Sequence, residues 1–123
     1  MNNKPKYTLF KNASYAIDGF VHAFKNETSF KLELIVALII FPAIYLLPFA
    51  LMYKLVLVIT YFMIMIAELL NSAVENVVDL VTTDIHPLAK SAKDIGATAV
   101  LFTVILHIIC WFLIGADYLD LFK

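Results

Sequence analysis

Five polar residues recur at helical spacing within a stretch of the chain that is otherwise strongly apolar. At 100° per residue they fall within an arc of roughly 100° on one helix face, and they are Glu68, Asn71, Ser72, Glu75 and Asp79. A charged group near the centre of a membrane helix costs about 2.5–3.5 kcal/mol, so it usually marks a working site. Because Mg²⁺ prefers hard oxygen ligands, a stripe of carboxylates close to lipid suits a reaction between a metal–phosphate complex and a lipid.

The composition indicates a membrane protein. Hydrophobic residues make up 63% of the 123-residue chain and charged residues 15%, whereas a soluble domain is about 45–50% apolar. The net charge of −1 argues against nucleic acid as a partner, because such a partner requires a basic face. The one cysteine, Cys110, excludes disulfides within the chain and thiolate metal clusters. We expect no cleaved signal peptide, since the first residues lead into an amphipathic stretch.

The periodicity predicts an all-α membrane protein of one domain, residues 1–123. Residues 8–26 read as an amphipathic helix, which we expect to lie in the membrane interface. Three transmembrane spans are expected, each long enough to cross about 30 Å of hydrocarbon, at residues 32–51, 55–81 and 96–119. Pro42 and Pro48 are expected to bend or end the first span, which a turn near Met52–Lys54 follows. Pro87 suits the first turn of the last helix.

The lysines are distributed unevenly between the two sides of the membrane. Seven of the nine lie in the amino-terminal arm and the second loop, namely Lys4, Lys6, Lys11, Lys25, Lys31, Lys90 and Lys93. The positive-inside rule therefore places the amino terminus and the second loop in the cytoplasm. Glu75, Asp79, Lys93 and Asp94 are then expected at the cytoplasmic face, where ATP is present. Glu68 is expected about 10 Å deeper, seven residues along the helix.

These residue types suit phosphoryl transfer, which needs Mg²⁺, a cation for the phosphates and a base for the attacking hydroxyl. Glu27 and Glu75 are candidate metal ligands, Lys93 a phosphate contact and Glu68 a base for a lipid hydroxyl. The chain has only three glycines, which excludes a glycine-rich phosphate loop. Spacing alone leaves two alternatives to an enzyme: a small transport or channel subunit, and polar packing between helices.

Two runs of residues form a long and specific motif. The pattern E-x-x-N-S-A-x-E-x-V-V-D extends from Glu68 to Asp79, and A-K-D follows at Ala92–Asp94. With His86-Pro87-Leu88-Ala89-Lys90 between them, these runs resemble the prokaryotic diacylglycerol kinase family, and the resemblance extends over nearly the whole chain. It implies a kinase of the bacterial inner membrane that transfers the γ-phosphoryl group of Mg-ATP to a lipid hydroxyl. It also implies a homotrimer whose active sites are shared between neighbouring subunits.

The same resemblance implies roles for individual positions. Glu68 matches the proposed general base, Glu27 and Glu75 match the metal-holding carboxylates, and Asn71 and Asp79 match supporting polar residues. The positions expected to contact nucleotide are Tyr15, Glu27, Glu75, Asp84, Ile85, His86, Lys93 and Asp94. Those expected to face the lipid substrate are Ser29, Glu33, Glu68 and Ala97.

Two positions depart from the enterobacterial members of the family. Those members carry an arginine near the position of Thr8, and here Lys6 or Lys11 would have to replace that nucleotide contact. Leu46 stands where a tryptophan is often found.

The acceptor lipid is ambiguous, because a sister branch of the family phosphorylates undecaprenol. Asn71–Ala73 and Asp94–Val100 are closer to the diacylglycerol branch, whereas the run His86–Lys90 is common in the sister branch. We expect 1,2-diacylglycerol, converted to phosphatidic acid, and keep undecaprenol as the alternative.

Overall fold

A computed structural model of the chain describes residues 8–122, which form four α-helices and no strand within that range. The helices are α1 (Leu9–Asn26), α2 (Thr28–Leu46), α3 (Leu51–Val81) and α4 (Pro87–Tyr118). By length and composition α2, α3 and α4 can each cross a membrane. The predicted fold class, an amphipathic helix followed by three transmembrane helices, is confirmed. Lys4, Lys6 and Lys123 lie outside the described residues.

The turn between α2 and α3 lies earlier than the sequence indicates. Instead of spanning 32–51, α2 begins at Thr28 and ends at Leu46, and α3 begins at Leu51 rather than at residue 55. Pro48 explains the early end, because the residue before a proline is forced out of the helical region, and Leu47 is extended with φ −66° and ψ 143°. The expected turn at Met52–Lys54 is therefore helical, while Pro42 stays inside α2.

The start of α4 is fixed by two adjacent residues. His86 is the N-cap, and its Nδ1 accepts a hydrogen bond from the backbone N–H of Leu88 at 3.2 Å. Pro87 occupies the first turn, as predicted, where its missing N–H costs nothing. Because α4 already begins here, the loop after α3 is short, and the span predicted for residues 96–119 is the later part of one long helix ending at Tyr118.

Glu27 is the single residue that separates α1 from α2. Its backbone is extended, with φ −104° and ψ 105°. Its N–H donates to the carbonyl of Ala23 at 2.8 Å, and its own carbonyl accepts from the N–H of Lys31 at 3.1 Å. The rings of Phe20 and Phe30 also meet edge to face at 5.7 Å across this joint. The ends of two helices therefore fix the position of the Glu27 backbone.

The third helix is the centre of the bundle, since it packs against both α2 and α4. One apolar cluster joins α1, α2 and α3 through Ala23, Phe30, Ala37, Tyr61, Ile64 and Met65. A second cluster lies towards the α2–α3 turn and contains Ile44, Leu57 and Ile114. In the most apolar 18-residue stretch of α3, 44% of the residues are buried, whereas only 17% are buried in the corresponding stretches of α2 and α4. The outer faces of α2 and α4 are thus left to lipid or to other chains.

A chain of buried and partly buried hydrogen bonds ties α3 to α4. The indole N–H of Trp111 donates to Nε2 of His107 at 2.9 Å, so Nε2 must be unprotonated. The proton of the neutral ring is then on Nδ1, which lies 2.7 Å from Thr60 Oγ1 and donates to it. The Thr60 hydroxyl in turn donates to the carbonyl of Val56 at 2.9 Å. Every polar atom of the His107 side chain is therefore hydrogen-bonded.

We predict that Thr60→Val destabilises the bundle by about 1 kcal/mol, near the upper part of the range for hydrogen bonds between membrane helices. Valine keeps the volume but leaves Nδ1–H of His107 buried without an acceptor. Denaturation with sodium dodecyl sulfate in mixed micelles measures the change. Thr103→Val is the matched control, since the Thr103 hydroxyl bonds only to Val100 of its own helix, at 2.7 Å. Equal effects of the two substitutions would contradict the role given to the His107 network.

Candidate functional site

The polar stripe of α3 runs from the interior of the bundle to the end that meets α4. Glu68, Asn71 and Ser72 are buried, Glu75 is half-buried and Asp79 is exposed. This gradient follows from the packing of α3, because its last two turns extend past the apolar cluster that joins α1, α2 and α3. The stripe therefore leads from an apolar interior towards the more open end of the bundle.

Three segments bring acidic groups together around Glu68. Its carboxylate interacts electrostatically with Glu75 of the same helix, with Glu27 at the α1–α2 joint, and with Glu33 of α2. The Ser29 side chain of α2 also acts on this carboxylate. We call Glu27, Glu33, Glu68 and Glu75 the acidic cluster. Of these, Glu33, Glu68 and Glu75 lie within helices long and apolar enough to span a membrane.

No described lysine forms an ion pair with the acidic cluster; the ion pairs between residues 8 and 122 are Lys90–Asp94 and Lys93–Asp79. Oε2 of Glu33 is buried and has no hydrogen-bond partner among the described residues. Like charges that interact at the edge of an apolar interior repel one another, and a cation would relieve the repulsion. Within residues 8–122 no three metal-binding side chains converge on one point. A cation here would therefore take one or two carboxylates and complete its shell with water or phosphate, as Mg²⁺ usually does.

Asn71 supports the acidic cluster from the same helix. Its Nδ2 donates to Oε1 of Glu75 at 2.9 Å, between residues one turn apart. A hydrogen bond to a carboxylate is about twice as strong as one between neutral groups. It therefore fixes one oxygen of Glu75 and leaves the other free to contact a cation.

A second set of predicted residues meets in a cavity beside the α3–α4 loop. The cavity has a volume of about 260 Å³, and its lining includes Asp79, Asp84, Ile85, His86 and Lys93. The ammonium of Lys93 contacts Asp79 Oδ1 at 2.5 Å, which bridges α3 and α4. Both side chains are partly exposed, so this pair adds little stability, about 0–1 kcal/mol. Its effect is to hold an ammonium group in place at the cavity wall.

Four other predicted residues are not brought to this cavity within one chain. Tyr15 is exposed on α1, and Ser29 and Ala97 are exposed on α2 and α4. Asp94 pairs with Lys90 one turn before it, at 2.5 Å, and lines a different groove from Lys93. The adjacent pair Lys93-Asp94 therefore points to two sides of α4.

The structure also shows polar residues near the acidic cluster to which the sequence patterns assign no role. A cavity of about 460 Å³ between α1 and α3 is lined by Glu27 and Ser72, and also by His22 and Asn76. Asn76 follows Glu75 directly, but it lies off the polar stripe and gives no periodic signal. His22 lies on α1, and only the contact between α1 and α3 brings it near the stripe. The α3–α4 loop cavity is likewise lined by Lys90, one turn before Asp94.

Comparison with known proteins gives one consistent answer. The profile of the family described as prokaryotic diacylglycerol kinase matches residues 14–115. A protein named diacylglycerol kinase from Haemophilus influenzae is 36% identical over 103 residues, which cover 84% of this chain and 87% of that protein. Diacylglycerol kinase of Escherichia coli K12 is 34% identical over 111 residues, covering 89% and 91%. Diacylglycerol kinase of Helicobacter pylori 26695 is 39% identical over 104 residues, covering 84% and 80%.

Glu33→Gln is predicted to stabilise the protein by about 1 kcal/mol when no divalent cation is present. The change removes a negative charge that interacts with Glu68. It also allows an amide N–H donor at the buried Oε2 position, where a carboxylate can only accept. Functional sites often hold groups that lower stability in this way. Unfolding in mixed micelles at pH 8 with a chelator measures the difference. Asp18→Asn, a neutralisation on the exposed face of α1 outside the acidic cluster, should leave stability unchanged. A loss of stability in Glu33→Gln would show that Glu33 is not under repulsion.

Proposed function

Because the chain belongs to the prokaryotic diacylglycerol kinase family, a family of membrane lipid kinases, we propose that it phosphorylates 1,2-diacylglycerol to phosphatidic acid with ATP and Mg²⁺. One observation carries the proposal: carboxylates from three segments, Glu68 among them, interact electrostatically and form no ion pair with a described cationic residue. An acidic cluster of this kind suits a reaction that brings Mg²⁺ and an alcohol to one place.

Glu27 and Glu75 are the residues that would hold Mg²⁺. Both are oxygen donors, both act electrostatically on Glu68, and Glu75 keeps one oxygen outside its hydrogen bond to Asn71. When bound, the ion offsets negative charge on the phosphate oxygens of the nucleotide. Two carboxylates match the small number that Mg²⁺ takes from a protein when phosphate and water supply the rest.

Glu68 is the proposed base. It accepts the proton of the lipid hydroxyl, and the hydroxyl oxygen then forms a bond to the γ-phosphorus while the bond to the bridging oxygen breaks and ADP leaves. The position of Glu68 supports this role, since it is buried on α3, within a helix apolar enough to span a membrane and next to the apolar cluster. Ser29, Glu33 and Ala97 are the proposed contacts on the lipid side.

The nucleotide is proposed to lie between the acidic cluster and the α3–α4 loop. Asp84, Ile85 and His86 would contact the adenosine part, and Lys93 would contact phosphate. The loop cavity of about 260 Å³ is small, because sites for drug-sized ligands usually measure about 300–1,000 Å³. It therefore suits only a part of the nucleotide.

A homotrimer with shared active sites would complete the nucleotide site. Tyr15 lies apart from the loop cavity within one chain, and a neighbouring subunit would bring an equivalent residue to it. The exposed outer faces of α2 and α4 leave room for such contacts. We place the protein in the bacterial inner membrane with Lys90, Lys93 and the acidic cluster towards the cytoplasm, as the lysine distribution favours.

Diacylglycerol is the preferred acceptor over undecaprenol because the main sequence signal for undecaprenol has a structural explanation. His86 and Pro87, which begin the run common in the sister branch, form the N-cap and first turn of α4. Their presence is accounted for by the start of the helix and needs no role in lipid recognition.

An assay with radiolabelled ATP and mixed micelles containing either lipid tests the acceptor. We expect label in phosphatidic acid at a much higher rate than in undecaprenyl phosphate. The reverse ratio would assign the chain to the sister branch, while an absence of labelled lipid with either acceptor would contradict the proposed activity.

Glu68→Gln is predicted to lower kcat by about 10²–10⁴-fold, the usual contribution of a general base. Loss of a group used only in the chemical step should leave the KM for ATP nearly unchanged. Steady-state kinetics at saturating lipid measure both constants. Asp18→Asn is the control for loss of a carboxylate elsewhere, and most of the activity surviving in Glu68→Gln would reassign the base.

A further inference from the structure

The backbone of α4 lies close to the polar stripe of α3 at Gly96. A methyl group placed on the Gly96 Cα would lie 2.2 Å from Oδ1 of Asn71 and 3.3 Å from its Cγ. Real side-chain carbons do not approach a neighbouring atom at 2.2 Å, so only glycine fits while Asn71 keeps this position. The amide of Asn71 is thus in direct contact with the backbone of α4.

The Asn71 amide is held in one orientation. Its side chain is 8% exposed, and Oδ1 is buried with no hydrogen-bond partner among the described residues. An unpaired amide oxygen costs about 1–3 kcal/mol, so its presence requires an explanation. Turning the amide over would place Oδ1 against the carboxylate of Glu75 and lose the 2.9 Å bond from Nδ2. Oδ1 therefore lies against Gly96 without a hydrogen bond, and in this orientation Nδ2 faces Glu75.

We propose that Gly96 and Asn71 are positioning residues for the Glu75 carboxylate. The backbone of α4 holds the amide, the amide N–H holds Oε1 of Glu75, and the other carboxylate oxygen is left for a divalent cation. The inference rests on the proposed role of Glu75 as a Mg²⁺ ligand and extends it to a residue on a different helix. Residues of this kind, which orient a ligand without touching the metal, typically change metal affinity about 10–100-fold when they are altered.

The position of the contact couples the proposed metal site to the packing of α3 on α4. Asn71 lies one turn before Glu75 on α3, and Gly96 lies three residues after Lys93, which pairs with Asp79 across the two helices. The same pair of helices thus positions both the proposed metal ligand and the proposed phosphate contact. A small increase in the spacing of α3 and α4 at Gly96 would change the orientation of Glu75 before it disrupted the fold.

Gly96→Ala tests the inference. We expect the Mg²⁺ concentration for half-maximal activity to rise at least about tenfold, while the KM for the lipid changes little. The stabilisation of the folded protein by Mg²⁺, followed as the shift in its thermal unfolding, should decrease in parallel. Gly115→Ala is the matched control on the same helix, because nothing lies within 4 Å of its added methyl group, and it should leave both readouts unchanged.

Asn71→Ala removes the amide without adding a clash, so it tests the inference even if Gly96→Ala folds poorly. It should raise the Mg²⁺ requirement by a similar factor. In the double variant the effect of Gly96→Ala should largely disappear, because residues that act through one another are not additive.

The outcomes separate this inference from the proposed function. A wild-type protein that phosphorylates no lipid overturns the function. A normal Mg²⁺ requirement in both single variants of an active enzyme, or additive effects in the double variant, overturns the positioning role alone.

Discussion

The antiparallel contact between α3 and α4 is the constraint on which the other features depend. It is fixed at several levels along the bundle, each pairing a residue of α3 with one of α4: Asp79–Lys93, Asn71–Gly96, Thr60–His107 and Tyr53–Asp117. Ion pairs and hydrogen bonds at both ends leave little freedom for one helix to slide along the other. The positions of Glu68 and Glu75 relative to Lys93 are therefore set by the register of two helices, and no loop needs to hold them.

The bundle contains both fully hydrogen-bonded polar groups and unpaired ones. The network of Trp111, His107 and Thr60 is fully hydrogen-bonded. The acidic cluster, in contrast, keeps a buried Glu33 oxygen without a partner. Burying a large apolar side chain such as Phe30, which is 2% exposed, contributes about 1.5–3 kcal/mol. A few such buried side chains near Glu68 offset the free-energy cost of holding the acidic cluster together.

The sequence predicts local features well and contacts between helices poorly. Periodicity identified the amphipathic helix and the three spans, and Pro87 identified the start of α4, because these depend on neighbouring residues. Pro48 ends the first span, one of the outcomes that the sequence predicts for its prolines, whereas the turn expected at Met52–Lys54 is helical.

The candidate site divides in the same way. The stripe on α3 was predictable from spacing, since all its members share one helix. The contact of Gly96 with Asn71 and the pairing of Lys93 with Asp79 were not. Both depend on how closely α3 and α4 approach and on their register.

The polar groups, more than the apolar surface, limit how the proposed site can be completed. Apolar side chains on the outer faces of α2 and α4 need no protein partner, because lipid tails cover them equally well. Polar residues have no such alternative in a bilayer. Lys93 and Asp94 are adjacent in sequence, yet they line different grooves. Lys90 lines both grooves, so the two grooves adjoin, and a nucleotide that contacts Lys93 and Asp94 would extend from one groove into the other.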